Sequence, residues 1–302
     1  MRRFLMVLSA VWSLALVLAG CDVDKPTYNS HDYIMFSDTL YHFPVQDNGE
    51  YFNVPISAMQ ACDYDRTFGV EVVDRNSNAI EGKHYALESN TVTIKAGELA
   101  TNVRVRGFYE NIGVNDSLGF ALRLVTPEDY QWEIYGTDAK IVMQKACPFD
   151  INAFTGYCVV TSTYMMSYMQ NVDLRLIRSE KVEDEENTIL LKNCFYNGYD
   201  IKVKLTTDDI LNPLIEVEDG KFGPTSDAFG TVYGDGMIRM YQPSNYASYY
   251  SSCENFILMY SVLNVLNKDG SEYGVVGTFV TAVEWISEDE AKKLQREGYP
   301  LN

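Results

Sequence analysis

A tyrosine-rich segment between residues 241 and 252 is the part of the sequence best suited to bind a ligand. It holds Tyr241, Tyr246, Tyr249 and Tyr250 among small polar residues. A tyrosine ring offers a flat apolar face and a hydroxyl at low cost in conformational entropy, which suits sugar rings and protein surfaces. We therefore predict these four residues as ligand-binding. The alternative is that the rings fold over one end of their domain, because burial is the usual role of aromatic side chains.

Residues that could carry out acid–base or nucleophilic catalysis are sparse. The only histidines are His31, His42 and His84, so mechanisms that pair a histidine with Ser or Cys are excluded in the second half of the chain. A carbohydrate-active hydrolase would need two carboxylates facing one cleft, and this remains the alternative function. No phosphate-binding or dinucleotide-binding motif occurs, and we expect no cofactor.

The cysteines do not form a metal-binding pattern. The six are Cys21, Cys62, Cys147, Cys158, Cys194 and Cys253. No two of them have the C-x-x-C spacing that is typical of zinc sites. We expect no metal, and we expect most of the thiols to be buried as small hydrophobic side chains. One disulfide can form, and its pairing stays open.

The charge balance excludes one class of partner. Lys and Arg total 24 against 42 Asp and Glu, which gives a net charge of -18 at pH 7. A protein that binds a phosphate backbone needs the opposite sign, so we expect no nucleic acid partner. The hydrophobic fraction of 46% is sufficient for a folded core.

The N-terminus resembles a bacterial lipoprotein signal. A basic start at residues 1–3 precedes an apolar run from Phe4 to Ala19. Spanning a bilayer takes about 20 apolar residues, so this run is short for a transmembrane helix and suits a secretory signal. It ends Leu-Ala-Gly-Cys at residues 18–21, as a lipobox does. The resemblance implies that residues 1–20 are cleaved and that a lipid on Cys21 holds the protein on a membrane.

Residues 21–32 are polar and predict a flexible tether. Asp22 and Asp24 follow the cysteine directly. Acidic residues at this place resemble the surface-export signal of Bacteroidota lipoproteins. This resemblance implies a protein anchored in the outer membrane by its lipid and exposed at the cell surface.

Residues 33–147 predict a β-sandwich, because apolar and polar side chains alternate with a period of two. Phe52, Val54 and Ile56 are examples, and such alternation is typical of strands with one buried face. Asn48-Gly49 lies between two apolar runs and predicts a hairpin turn. About seven short strands in this segment predict an immunoglobulin-like fold.

Part of this half resembles a Calx-beta-like sandwich. The similarity lies in a Gly-x-His-Tyr turn, a strand that ends in Gly-Glu, and two long strands, at residues 79–85, 91–98, 103–105 and 120–124. Gly82 allows the tight turn, and Tyr85 is expected to plug the sandwich. Calcium-binding members carry clustered acids, but His84 stands here where an Asp is usual. A calcium ion needs six to eight oxygen ligands. The remaining acids either converge at one end or form a solvated rim, and they are Asp63, Asp65, Glu81 and Asp116.

Residues 148–302 predict a second β domain, an antiparallel meander closed into a barrel-like form. Phe256–Leu266 and Tyr273–Trp285 are long apolar segments that predict deeply paired strands. Four pairs of Asn or Asp with Gly separate apolar runs as hairpin turns do: Asn197-Gly198, Asp219-Gly220, Asp235-Gly236 and Asp269-Gly270. About eight strands are expected. The arrangement is similar to uncharacterised C-terminal domains of Bacteroidota lipoproteins that follow a Calx-beta-like module.

One short C-terminal helix is predicted. Ser287 and Glu290 form a capping box, and Gly298 ends the helix. Leu294 is expected to be its main apolar contact.

These features together predict an all-β, lipid-anchored envelope protein. The expected work is non-catalytic: it binds a glycan or a protein, or acts as a spacer in an envelope assembly. The predicted segments are the signal peptide at 1–20, the tether at 21–32, the sandwich at 33–147 and the barrel-like domain at 148–302.

Overall fold

The computed structural model describes residues 31–132 and 136–302. The predicted signal peptide, Cys21 and nearly all of the predicted tether lie outside these residues. Nine described strands between Ile34 and Lys145 form two sheets. Their bounds are β1 Ile34–Phe36, β2 Leu40–Val45, β3 Tyr51–Ala58, β4 Arg66–Val72, β5 Tyr85–Leu87, β6 Thr91–Ile94, β7 Ala100–Gly107, β8 Leu118–Val125 and β9 Asp138–Lys145.

The two sheets pack on each other as a sandwich. One has the order β1-β3-β7-β5 and the other β2-β9-β8-β4-β6. Strand β2 runs parallel to β9, and the other pairs are antiparallel. Tyr85 is fully buried between the sheets, and its ring stacks on Phe120 with centroids 3.8 Å apart. The ring plugs the core as the sequence predicts.

The hairpin prediction at Asn48-Gly49 is wrong. Strand β2 belongs to one sheet and β3 to the other, so this turn carries the chain across the sandwich. Alternation within each strand is the same in both arrangements, because a buried face can pack against either sheet. The described part of this half also has more strands than the seven expected, since short strands such as β1 and β5 show little periodicity.

The second half is one ten-stranded antiparallel sheet. Its strands are β10 Gly156–Ser162, β11 Arg175–Lys181, β12 Thr188–Leu191, β13 Ile201–Leu205, β14 Ile215–Val217, β15 Gly220–Pro224, β16 Met237–Tyr241, β17 Tyr249–Ser251, β18 Phe256–Leu266 and β19 Glu272–Trp285. The order is β14-β13-β12-β11-β10-β19-β18-β16-β15, and β17 also pairs with β18. The all-β class and the antiparallel meander are confirmed.

The sheet curls until its ends meet. Strand β14 at one end contacts β17 near the other, because Ile215 N donates to Ser248 O at 3.0 Å and Tyr250 N donates to Pro213 O at 2.9 Å. Next to these backbone bonds, the side chain of Gln242 bonds to the backbone of β14 as a neighbouring strand would. Its Oε1 accepts from Val217 N at 2.8 Å, and its Nε2 donates to Ile215 O at 3.2 Å. These bonds close the barrel.

Three of the four predicted hairpin turns join strands that pair with each other. Strands β12 and β13 flank Asn197-Gly198, β15 and β16 flank Asp235-Gly236, and β18 and β19 flank Asp269-Gly270. The prediction at Asp219-Gly220 is wrong, because β14 and β15 lie at opposite ends of the strand order and do not pair.

The described residues include three α-helices rather than one. Helix α1 spans Thr163–Tyr168, α2 spans Thr225–Phe229, and α3 is the predicted C-terminal helix at Glu288–Arg296. The capping box between Ser287 and Glu290 is present. The main buried residue of α3 is Ala291, which is fully buried, whereas Leu294 is only half-buried. In the described part of the chain, no helix is both long and apolar enough to cross a bilayer.

Each half has its own hydrophobic core. One cluster of buried side chains lies between Ile34 and Met143, and the other lies between Phe154 and Val283. A disulfide joins Cys147, in the segment that links the two halves, to Cys253 in the barrel. This is the one pairing that the sequence left open.

Candidate functional site

The predicted tyrosines lie on two different faces of the barrel wall. Tyr250 points inward and is only 4% exposed. Its ring contacts Phe154 edge-on at 5.5 Å, and its hydroxyl donates to Thr206 O at 3.0 Å. Burial raises the pKa of this hydroxyl, which therefore stays a neutral donor. The ring of Tyr250 belongs to the core, so the prediction that it forms part of an exposed aromatic surface is corrected.

The other tyrosines of the segment point outward. Tyr246 is 48% exposed and Tyr249 is 39% exposed, while Tyr241 is half-buried. The ring of Tyr246 stacks on Tyr260 of β18 with centroids 5.1 Å apart and planes 16° apart. The ring of Tyr249 meets Phe256 edge-on at 6.0 Å. The loop rings therefore continue onto the outer face of a long strand.

The outer face of β18 was missed at the level of sequence. Ile257 and Met259 are buried in the core, so alternation places Phe256, Leu258 and Tyr260 on the opposite, outer side. We call this surface the tyrosine face, and its members are Tyr241, Tyr246, Tyr249, Phe256, Leu258 and Tyr260. The signal was present in the sequence, because the segment Phe256–Leu266 is apolar at both phases of the alternation.

The loop that carries Tyr246 is held at both ends. Gln242 is bound to β14 as described above, and Ser248 is buried. The hydroxyl of Ser248 accepts from Tyr260 N at 2.9 Å. These bonds fix the loop against β14 at one end and β18 at the other, so the Tyr246 ring needs little further ordering when a ligand binds. The tyrosine face is a preorganised surface.

The four acidic residues that could have converged on a calcium ion do not form a metal site. Among the described residues, no group of three or more His, Cys, Asp or Glu side chains could hold a metal ion. Asp65 instead pairs with Lys95 at 2.7 Å, and Asp116 accepts from Gly113 N at 2.8 Å.

The one buried histidine has a structural role. Nδ1 of His84 accepts a hydrogen bond from Ile80 N at 3.0 Å. Burial is the main reason why the pKa of His84 is lowered, and the charge of Lys83 adds to the effect. The ring is therefore held neutral and closes the turn before Tyr85.

The free cysteines of the barrel are not nucleophiles. Cys158 and Cys194 are both fully buried. Burial raises the pKa of Cys158 to about 12, and it raises the pKa of Cys194 as well. Since the thiolate is the reactive form, both side chains act as small apolar groups in the core.

Comparisons with known proteins give a family and several distant structural similarities. The family described as Domain of unknown function (DUF4984) matches residues 134–297, more than half of the chain. Among curated proteins, none matches. The matched residues begin just before β9 and contain the whole barrel.

The similar solved structures are distant in sequence. The apo-form Calx CBD1 domain is 14% identical, with a TM-score of 0.32, over 38% of this chain and 98% of its own. A protein of unknown function from Bacteroides ovatus is 10% identical, with a TM-score of 0.35, over 83% of this chain and 89% of its own. Another from the same organism is 10% identical, with a TM-score of 0.36, over 84% of this chain and 94% of its own.

Proposed function

We propose a non-catalytic, glycan-binding role for this chain, which belongs to the DUF4984 family of domains of unknown function. The observation that carries the proposal is the stacked pair of Tyr246 and Tyr260, with Tyr249 beside it, on the outside of a closed barrel. The barrel core is complete without these rings. Tyr246 is exposed on a loop that is held at both ends, and Tyr249 is exposed on β17, as a binding surface requires.

The chemistry of the tyrosine face fits a neutral sugar chain. A sugar ring packs its C–H groups against a flat aromatic ring, and its hydroxyls take hydrogen bonds at the edge. The exposed side chains of Ser244 and Asn245 flank Tyr246 and supply such groups. The net charge of -18 disfavours an acidic glycan, because like charges repel at the surface.

A sugar suits this face better than a large protein partner does. Stable protein interfaces take about 20–30 residues on each side. Of the described side chains on the tyrosine face, Tyr246 and Tyr249 are the exposed ones, at 48% and 39%. Two exposed rings are enough to hold sugar units, but they form a small centre for a protein interface.

A hydrolase would need different groups near this surface. The cleft between the sandwich and the barrel, which we call the inter-half cleft, borders the tyrosine face at Tyr249 and Phe256. Glu254 is the only carboxylate among the residues that line it. Hydrolysis of a glycosidic bond uses a pair of carboxylates. The geometry here supports binding rather than cleavage.

The experiment is a comparison of Tyr246→Ala with a matched control on a glycan array, followed by titration calorimetry. We expect Tyr246→Ala to weaken binding of a neutral oligosaccharide about tenfold or more, which corresponds to about 1.4 kcal/mol. The control is Tyr273→Ala, because Tyr273 is 53% exposed on the same domain but lies at the β18–β19 hairpin.

Equal weakening by both variants would contradict the proposal, as would the absence of any array glycan that binds the wild-type protein. If a protein partner is captured by the wild-type chain and lost with Tyr246→Ala while no glycan binds, the surface is a protein-binding one.

We further propose that the protein is held on the outer membrane by a lipid on Cys21 and faces outward. Asp32, the last residue of the predicted tether, is paired with the buried Arg66. The tether would therefore join the sandwich at a fixed point. Cys21→Ala should move the protein from the membrane fraction to the soluble fraction of the cell, and Cys62→Ala is the control. Persistence of the Cys21 variant in the membrane fraction would overturn the anchor.

A further inference from the structure

The inter-half cleft has walls from both halves of the chain. The sandwich contributes Asn115, Gln144 and Lys145, and the barrel contributes Thr207, Ile210, the residues from 249 to 254 and Phe256. The cleft holds about 400 Å³, which is within the range of about 300–1,000 Å³ that is usual for small-molecule sites. Such sites are frequent between domains.

The two walls are held at a fixed distance. Cys147 from the sandwich side and Cys253 from the barrel side both line the cleft, and they are joined by the disulfide. Tyr109 supports this junction, because its hydroxyl lies 3.1 Å from Cys147 Sγ. Nζ of Lys145 lies 4.0 Å above the Tyr109 ring, so this cation is held at the sandwich wall. The cleft is therefore a formed space rather than a gap that depends on free motion of the halves.

The lining combines rings with hydrogen-bonding groups. Tyr249 and Phe256 supply aromatic surface, while Asn115, Gln144 and Thr207 supply amide and hydroxyl groups. This is the combination that a sugar needs, because each ring has an apolar face and a rim of hydroxyls. Lys145 and Glu254 carry opposite charges, so the cleft itself favours neither an anionic nor a cationic ligand.

The cleft is continuous with the tyrosine face. Tyr249 and Phe256 belong to both, since their rings contact each other on the outer face and also line the cleft. The next ring along the face is Tyr260, four residues from Phe256 on the same strand, a distance of about 13 Å at 3.3 Å per residue. A sugar chain that lies on the face therefore reaches the cleft with its end.

We propose that the inter-half cleft is a subsite for the terminal unit of a neutral oligosaccharide whose remaining units lie on the tyrosine face. This inference rests on the proposed glycan-binding function. It adds the direction in which the oligosaccharide lies and the minimum length of oligosaccharide that fills the whole site. A short oligosaccharide occupies the face alone, whereas a longer one occupies both the face and the cleft.

The test fills the cleft without touching the face. In Thr207→Trp the indole occupies the cleft, and Thr207 is exposed, so the barrel core is unchanged. The control is Val232→Trp, because Val232 is 68% exposed on the barrel and does not line the cleft. The probes are neutral gluco-, xylo- and manno-oligosaccharides of two and six units, measured by titration calorimetry on the full-length chain without its signal peptide.

We expect Thr207→Trp to weaken binding of the six-unit probe about tenfold, with no change for the two-unit probe of the same sugar. Tyr246→Ala should weaken both probes. If Thr207→Trp leaves the six-unit affinity unchanged while Tyr246→Ala lowers it, the subsite is wrong and the proposed function stands. If no probe binds the wild-type protein, both are overturned. Thermal unfolding of the variant, expected to match that of the control, separates a filled cleft from a damaged fold.

Discussion

The outer face of the sandwich and the outer face of strand β18 in the barrel are built differently. On the sandwich, polar side chains pair across neighbouring strands, as Thr67 does with Thr93 at 2.9 Å and Arg104 with Glu88 at 2.6 Å. On the barrel, the corresponding outer positions of β18 are Phe256, Leu258 and Tyr260. Both halves have a closed core, so the difference is confined to the side that faces water.

The fold requires a buried face on each sheet, but it does not require aromatic side chains on the outer face. An antiparallel sheet is stable with one buried face and one polar face, and the sandwich is an example. An outer face of rings adds nothing that the barrel core requires, and exposed aromatic side chains grouped on one surface are typical of a binding site. The tyrosine face therefore calls for a functional explanation, whereas the polar pairs of the sandwich do not.

The largest expected effect distinguishes the two faces of a single strand. Tyr250→Ala should lower the free energy of unfolding by about 3–5 kcal/mol, because it removes a buried ring from the barrel core. Tyr249→Ala, one residue earlier on the outer face, should lower it by about 0.5 kcal/mol or less. Chemical unfolding of both variants measures the difference. Equal losses would make the tyrosine face structural and remove the contrast with the sandwich.

An intermediate effect is expected from the disulfide. Replacing Cys147 and Cys253 together by Ser should lower the free energy of unfolding of the barrel by about 2–4 kcal/mol, because the crosslink restricts a long loop in the unfolded chain. The sequence separation of 106 between the two cysteines spans most of the barrel strands. Scanning calorimetry should show the barrel transition moving while that of the sandwich stays. Movement of both together would mean that the two halves unfold as one unit. Cys62→Ser, which removes a free thiol of the sandwich, is the control.

The smallest effect concerns the sandwich and depends on pH. The folded pKa of His84 lies below its ordinary value of 6.5, so the unfolded chain binds the extra proton more readily. The stabilisation is fully present above about pH 6.5 and is lost as the pH falls through the folded pKa. His84→Gln keeps an acceptor for Ile80 N and should reduce this pH dependence in thermal unfolding between pH 7 and 5. An unchanged slope would show that other groups produce it.

Local pattern was sufficient for the core of this fold. Period-two alternation identified β3, and long apolar segments identified β18 and β19, with nearly correct bounds. The capping box of α3 was also predicted, because a cap depends on residues only three positions apart. The wrong hairpins at Asn48-Gly49 and Asp219-Gly220 have a common cause. A turn signal reports that the chain reverses, but it does not report which strand becomes the neighbour.

Local sequence also does not report which residues of the candidate site face outward. The sequence determined that residues 241–252 are rich in tyrosine, that the chain is acidic and that the second half lacks histidine. Tertiary structure alone decided that Tyr250 is buried and Tyr249 exposed, because the face of a strand is set by its register against β18. It also decided that Tyr246 stacks on Tyr260, 14 positions along the chain, and that Cys147 pairs with Cys253. These contacts join residues far apart in sequence, and the free energy of such packing appears only once the barrel has closed.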